Sequence, residues 1–206
     1  MPSLRLVTDA TAEPVTLEEV KIYLRLQATY EDEDDLINRW IKEARKEAEN
    51  KTRRACLPQT WKLFLDDFED TMVLPRAPLS SNTTDVVITY LDGVSGNSTT
   101  LASTYYTVDY DSEPGRIRLA YESDWPDVYP VENAVQISFV AGFKINTTAS
   151  PTTDTCPEGI EDWIMMRVAQ KHEHRLPTIE GHIVAGLERD FIDGLLDEHV
   201  LIEVNP

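Results

Sequence analysis

The sequence is short of positive charge. Lys and Arg number 19 against 37 Asp and Glu, a formal charge of −18 with a pI near 4.5. A surface of that sign repels polyphosphates, which argues against nucleic-acid binding through a broad basic face. Long apolar runs are missing as well. No stretch reaches the roughly 18 apolar residues of a membrane span, and MPSLRLVTDATAEP lacks the apolar core of a signal peptide, so no membrane partner is expected. Cysteine is reduced to Cys56 and Cys156, far apart and without CxxC or metal-ligand spacing, which favours two reduced thiols in a chain made in a cytoplasm. In that setting the Asn-x-Ser/Thr triplets at Asn50, Asn82, Asn97 and Asn146 read as polar loop residues. There is no GxSxG elbow, no P-loop and no dinucleotide-binding glycine pattern, and neither cysteine has a histidine near it in sequence. With so many acids, no carboxylate pair stands out. The expectation is a chain without catalytic, metal or cofactor-binding residues, and not an enzyme.

What the chain does have is a core. Hydrophobic residues make up 41% of it and its charges are interspersed, so it reads as globular and not as an acidic disordered chain. VTLEEVKIYLRLQ opens with Thr16 and Glu19 in capping-box spacing, and Leu17, Val20, Tyr23 and Leu24 fall at helical intervals. After the acidic TYEDEDD, the residues Leu36, Ile37, Trp40, Ile41, Ala44 and Ala48 mark a longer helix, with acids at its start and bases at its end as the helix dipole favours. Pro58 is expected to stop it. WKLFLDDF then alternates with period two, and MVLP, VVITYL, TTLAS, YYTVDY, RIRLA and AVQISFVAGF are further strand candidates separated by turn chemistry. Strands this short and this close in sequence imply antiparallel pairing. NTTASPTTDT reads as a polar loop. Pro157 and Glu158 then open a helix whose face is Ile160, Trp163, Ile164, Arg167 and Val168, ending near Pro177. IEGHIVAGLERDFIDGLLDEHVLIEVNP follows, with an amphipathic helix interrupted by Gly186 and Gly194 and then VLIEV, a candidate strand.

The expected fold class is α+β. It comprises an N-terminal helix pair and a C-terminal helix packed with a small antiparallel β-sheet or sandwich, plus a C-terminal extension. The expected organisation is a single domain over 1–206, with a helical N-terminal segment over 1–56, an antiparallel β segment over 57–145, a polar loop over 146–156, a helix over 157–177 and an extension over 178–206.

Two stretches invite a metal reading and fail it. In VDYDSEPGRIRLA, Asp109, Asp111 and Glu113 alternate before a glycine, but a calcium loop counted from Asp109 puts Pro114 where glycine belongs and Ala120 where the bidentate Glu belongs. A type II turn at Pro114 and Gly115 between paired strands fits better. In KHEHR, His172 and His174 would project about 200° apart on a helix and cannot share an ion, so an exposed pair near a helix C-terminus is expected.

Several phrases taken in order, VTLEEVKIYLRL, RRACLPQTWKLFLDDF, LPRAPLSS, YYTVDYDSEPGRIRL, SDWP and AVQISFVAGF, resemble the head-tail connector family of tailed phages, the adaptor or head-completion proteins beneath the portal. The resemblance spans about residues 15 to 176. It implies a structural virion protein at the head-tail junction, with the portal protein, identical subunits in a ring of about twelve and the next neck or tail component as partners. Packaged DNA would pass through the channel without specific binding, and acidic side chains would line it. The alternatives are a stopper or tail-completion neck protein, or a monomeric β-rich binding module. The extension beyond residue 176 is longer than the family pattern implies. Val184, Leu187, Phe191, Leu195 and Leu196 are therefore expected to meet the portal or a neighbouring subunit, the competing expectation being that they pack on their own domain. Trp125, in SDWPDVYP, is the tryptophan expected to be exposed and to join the same portal or neighbour-subunit interface, while Trp40 and Trp61 are expected in the core.

Overall fold

The computed structural model describes residues 2–144, 155–174 and 189–201. The chain divides into two compact units, one formed by 1–10, 57–143 and 201–206, the other by 11–56 and 144–200.

The first unit is antiparallel β. A five-stranded sheet runs in the order β1 (Ser3–Thr8), β2 (Gln59–Leu65), β8 (Val135–Ala141), β4 (Val87–Leu91), β5 (Ser98–Thr100), and a three-stranded sheet in the order β3 (Thr71–Val73), β7 (Arg116–Leu119), β6 (Tyr106–Asp109). All seven strand candidates expected from the sequence up to residue 143 are present. In β2, alternate residues are buried, Trp61, Leu63 and Leu65 among them, and they face Phe139, Ile137 and Val135 of β8 across the pairing. Period two is what one buried face requires. β1 is not among the expected strands, although Leu4 and Leu6 alternate with exposed neighbours; it pairs with β2 along the sheet edge, its register broken between Leu6 and Thr8. Gly142, directly after β8, has φ +138°, and a Cβ there would lie 2.1 Å from the Leu57 carbonyl oxygen. Only glycine permits that approach of two backbone segments.

The second unit is helical, and its core is one cluster. Val20 comes from α1 (Leu17–Tyr23), Ile37, Ile41, Ala44 and Ala48 from α2 (Asp34–Thr52), Ile160, Trp163, Ile164 and Val168 from α3 (Glu158–Glu173) and Leu196 from α4 (Arg189–Asp197). Each fully buried aliphatic or aromatic side chain contributes about 1.5–3 kcal/mol relative to exposure. α1 begins as expected: the Thr16 hydroxyl accepts from the Glu19 N–H and the Glu19 carboxylate accepts from the Thr16 N–H at 2.7 Å. It is shorter than its pattern suggested, and Tyr23 is exposed instead of lying on the apolar stripe. Lys21 takes a buried position beside it, its ammonium 2.5 Å from Asp34 at the start of α2. α2 ends at Thr52, before Pro58 is reached, because Arg53 turns into the left-handed region at φ +59°. Trp40 is partly buried against this cluster. The polar loop and the VLIEV strand candidate fall almost wholly outside the described residues; Val200 and Leu201, at the start of that run, are not in a strand.

Candidate functional site

The acid-rich turn of the β unit closes on itself. The Asp109 carboxylate accepts from the N–H groups of Asp111 and Ser112, both at 3.1 Å, and from the Ser112 hydroxyl at 2.5 Å. The hydroxyl and then the Ser112 amide hold the Asp109 carboxyl below its usual range, which is how a carboxylate committed to local donors behaves. The turn at residues 114 and 115 is not type II. The Glu113–Pro114 peptide is cis and Gly115 is outside the positive-φ region; a Cβ there would stand 2.8 Å from Leu79 Cδ2, so a larger residue would require the Leu79 side chain to move. Among the described residues no group of three or more His, Cys, Asp or Glu side chains could hold a metal ion, and no helix is long and apolar enough to cross a membrane. The histidines part company. His174 is exposed, whereas His172, against expectation, is partly buried, 3.1 Å from a Glu33 carboxylate oxygen and edge-on to Trp40.

The loops of the β unit come together at one end. Gly93, between β4 and β5, donates its N–H to the Asp127 carbonyl at 2.9 Å, and Tyr129 donates to Leu91. Trp125 lies in the same long loop between β7 and β8. It is half-buried, its ring stacked on Phe68 with centroids 4.7 Å apart and an interplanar angle of 1°, and its indole N–H has no hydrogen-bond partner among the described residues. The fully offered side chains here are others: Val94 and Tyr121 are each 91% exposed. Sequence periodicity does not single them out, since both lie in turns. Charge is one-sided in this region, with no Lys or Arg between Arg76 and Arg116 or between Arg118 and Lys144.

The C-terminal segment is tied into the helical unit. Asp193 in α4 accepts from the Lys51 ammonium at 2.6 Å and from the Trp163 indole N–H at 3.2 Å, and Arg54 donates to the His199 carbonyl at 2.7 Å. Leu196 is buried in the core cluster and Leu195 packs against it. Val184 and Leu187 lie outside the described residues, as does the side chain of Phe191.

Beneath these, Arg45 has no exposed surface. Its guanidinium spans Glu13, with Nε to Oε2 at 2.6 Å, and Glu49, with Nη1 to Oε2 at 3.1 Å, while Glu49 also accepts from the Cys56 N–H. The Arg45/Glu49 spacing of four was legible on α2; the third partner, 32 residues upstream, was not.

Comparison with known proteins places this arrangement among others like it. Residues 14–95 match the family model of the Phage gp6-like head-tail connector protein. The connector match takes in α1, α2, β2, β3 and β4 and three of the phrases on which the resemblance rested; the other three lie beyond residue 95. Solved structures extend the likeness along the chain. A chain from the neck of an empty gene transfer agent (GTA) particle, computed with C6 symmetry, superposes with TM-score 0.73 at 22% identity, covering 98% of this chain and 97% of that one. Chains from the virion of a native gene transfer agent particle and from the neck of a native GTA particle computed with C12 symmetry each give 0.71, at 21% and 20% identity, with the same coverages. At such identities what is shared is the fold. Coverage of 98% also takes in most of the segment after residue 176, so its length is not peculiar to this chain. No curated protein matches the chain.

Proposed function

We propose that this chain is a structural connector of a virion-like particle, built into the neck where head meets tail. The observation that carries this is a coincidence: a head-tail connector match over residues 14–95 and a fold shared along 98% of the chain with chains of particle necks. The finer reading is a closed ring of identical subunits, on the order of twelve, seated on the portal protein. In a closed ring each copy uses two different patches, one per neighbour, and leaves none exposed. Contacts of roughly 800 Å² per partner suffice, because many modest contacts act together when a ring meets a ring. Packaged DNA passes through the opening, and acidic side chains facing it keep the polyanion from adhering.

Two surfaces serve the axial contacts in this proposal. The loop end of the β unit, with Val94 and Tyr121 extended and Trp125 braced on Phe68, meets the next neck or tail component. The C-terminal segment carrying Val184, Leu187, Phe191 and Leu195 meets the portal or a neighbouring subunit. Leu196 is already buried within its own unit and supports that segment from beneath.

The test is direct imaging of purified particles that contain this chain, by electron cryomicroscopy of the neck with symmetry left free. Density for the chain as a ring at the head-tail junction is the expected result. Its absence from the neck, or its presence only elsewhere in the particle, would overturn the proposal. A ring whose inner wall is basic would overturn the DNA-channel reading alone.

A further inference from the structure

Cys56 and Cys156 are the two cysteines of the chain, and nothing in their sequence spacing relates them. The fold brings them together. Both are buried in the one core cluster of the helical unit, at 0% and 6% exposure, both are free thiols, and Cys156 stands near enough to Cys56 to bear on its ionisation. They stand at structurally separate places in the chain. Cys56 ends the turn that follows α2, its N–H held by the Glu49 carboxylate at 3.1 Å, and Cys156 directly precedes Pro157, the N-cap of α3. A covalent link between them would close almost half the chain into a loop and fasten the exit of α2 to the start of α3.

We propose that Cys56 and Cys156 form a buried dithiol that closes to an intramolecular disulfide when the chain passes from reducing to oxidising surroundings. The biological setting rests on the connector reading: a neck protein assembles inside a cell and then works outside it, where disulfides persist. The oxidant named is a small peroxide, which suits a pair so little exposed. Cys156, the more exposed of the two, reacts first. Its thiolate attacks one peroxide oxygen, the O–O bond breaks, and a sulfenic acid and hydroxide result. The Cys56 thiolate then attacks that sulfur, the S–S bond forms, and a second hydroxide leaves. The two thiol protons end in two water molecules, so two electrons pass from the sulfurs to the peroxide.

The side-chain interaction of the protonated Cys56 thiol with Cys156, and then burial, push Cys56 well above its ordinary range, so thiolate is scarce and closure is slow. Slow closure lets each subunit assemble with its thiols reduced and acquire the internal link afterwards.

The experiment exposes the full folded chain to dilute hydrogen peroxide, unfolds it in the presence of N-ethylmaleimide and weighs it by intact-mass spectrometry. The expected product is lighter by two hydrogens, carries no maleimide, melts at higher temperature than the reduced chain because the unfolded state is cross-linked, and reverts with dithiothreitol. Cys56→Ala and Cys156→Ala each abolish the product; because the wild-type measurement stands alone, a variant that fails to fold does not spoil the test. Maleimide on both cysteines after peroxide, a sulfinic acid on either, or covalent dimers would overturn the proposal. The same labelling on purified particles separates it from the connector reading. A disulfide in the isolated chain with no chain in the neck sinks the connector reading only. A chain present in the neck with both thiols open to maleimide after peroxide sinks the disulfide only.

Discussion

Arg45 carries a full charge with no exposure to solvent, between Glu13 and Glu49. A buried ion pair contributes little over a well-packed apolar replacement, but breaking one leaves the remaining charge without a partner, which costs about 3–5 kcal/mol. Arg45→Met should therefore lower the unfolding free energy by about 3 kcal/mol in urea denaturation. Adding Glu13→Gln and Glu49→Gln should recover much of that loss, because the amide that replaces the Glu49 carboxylate still offers an oxygen to the Cys56 N–H. A second residue sets a pH dependence. Burial, then the neighbouring Glu19, Glu158 and Asp162, push Glu161 from its ordinary 4.5 up to about 7. Between those values the folded chain binds more protons than the unfolded one, so stability falls as pH rises through that window, with the penalty absent below it and constant above it. Glu161→Gln should flatten this limb and raise the melting temperature at pH 8, as thermal unfolding across a pH series will show.

At the level of elements, α4 is held by Leu196 in the core, by Lys51 and Trp163 on Asp193, and by Arg54 on the His199 carbonyl. Leu196→Ala should cost about 2–4 kcal/mol, read by the same denaturation. The elements legible in the sequence were those whose periodicity is local. Alternation in β2 and β8, the buried row of α3 and the Thr16 capping box all depend on neighbours within a few residues. β1 was missed because an edge strand buries little and its partner strand is remote in sequence. The Cys56 and Cys156 contact and the Glu13 carboxylate on Arg45 were missed for the same reason, as no local pattern encodes a long-range pairing. Phe68 on Trp125 is a further case: the loop residue was visible, its aromatic support was not.

For the whole molecule, the division of charge matters more than its total. The loop end of the β unit has acidic residues and no nearby cation in sequence, while bases of the helical unit are engaged with acids, as Arg167 is with Glu47 and Lys171 with Glu43. Like-charged loop ends repel one another, which disfavours contacts between copies of the chain through them.

Each compact unit is made of separate stretches of chain, and the polypeptide passes between the two at residues 10–11, 56–57, 143–144 and 200–201. The order of synthesis then dictates when a subunit becomes usable. The helical core stays open until Trp163 and Leu196 have left the ribosome, so a prematurely released product lacks some of that core and cannot stand in for an intact subunit. Interleaving of this kind makes each unit depend on residues from both early and late in the chain.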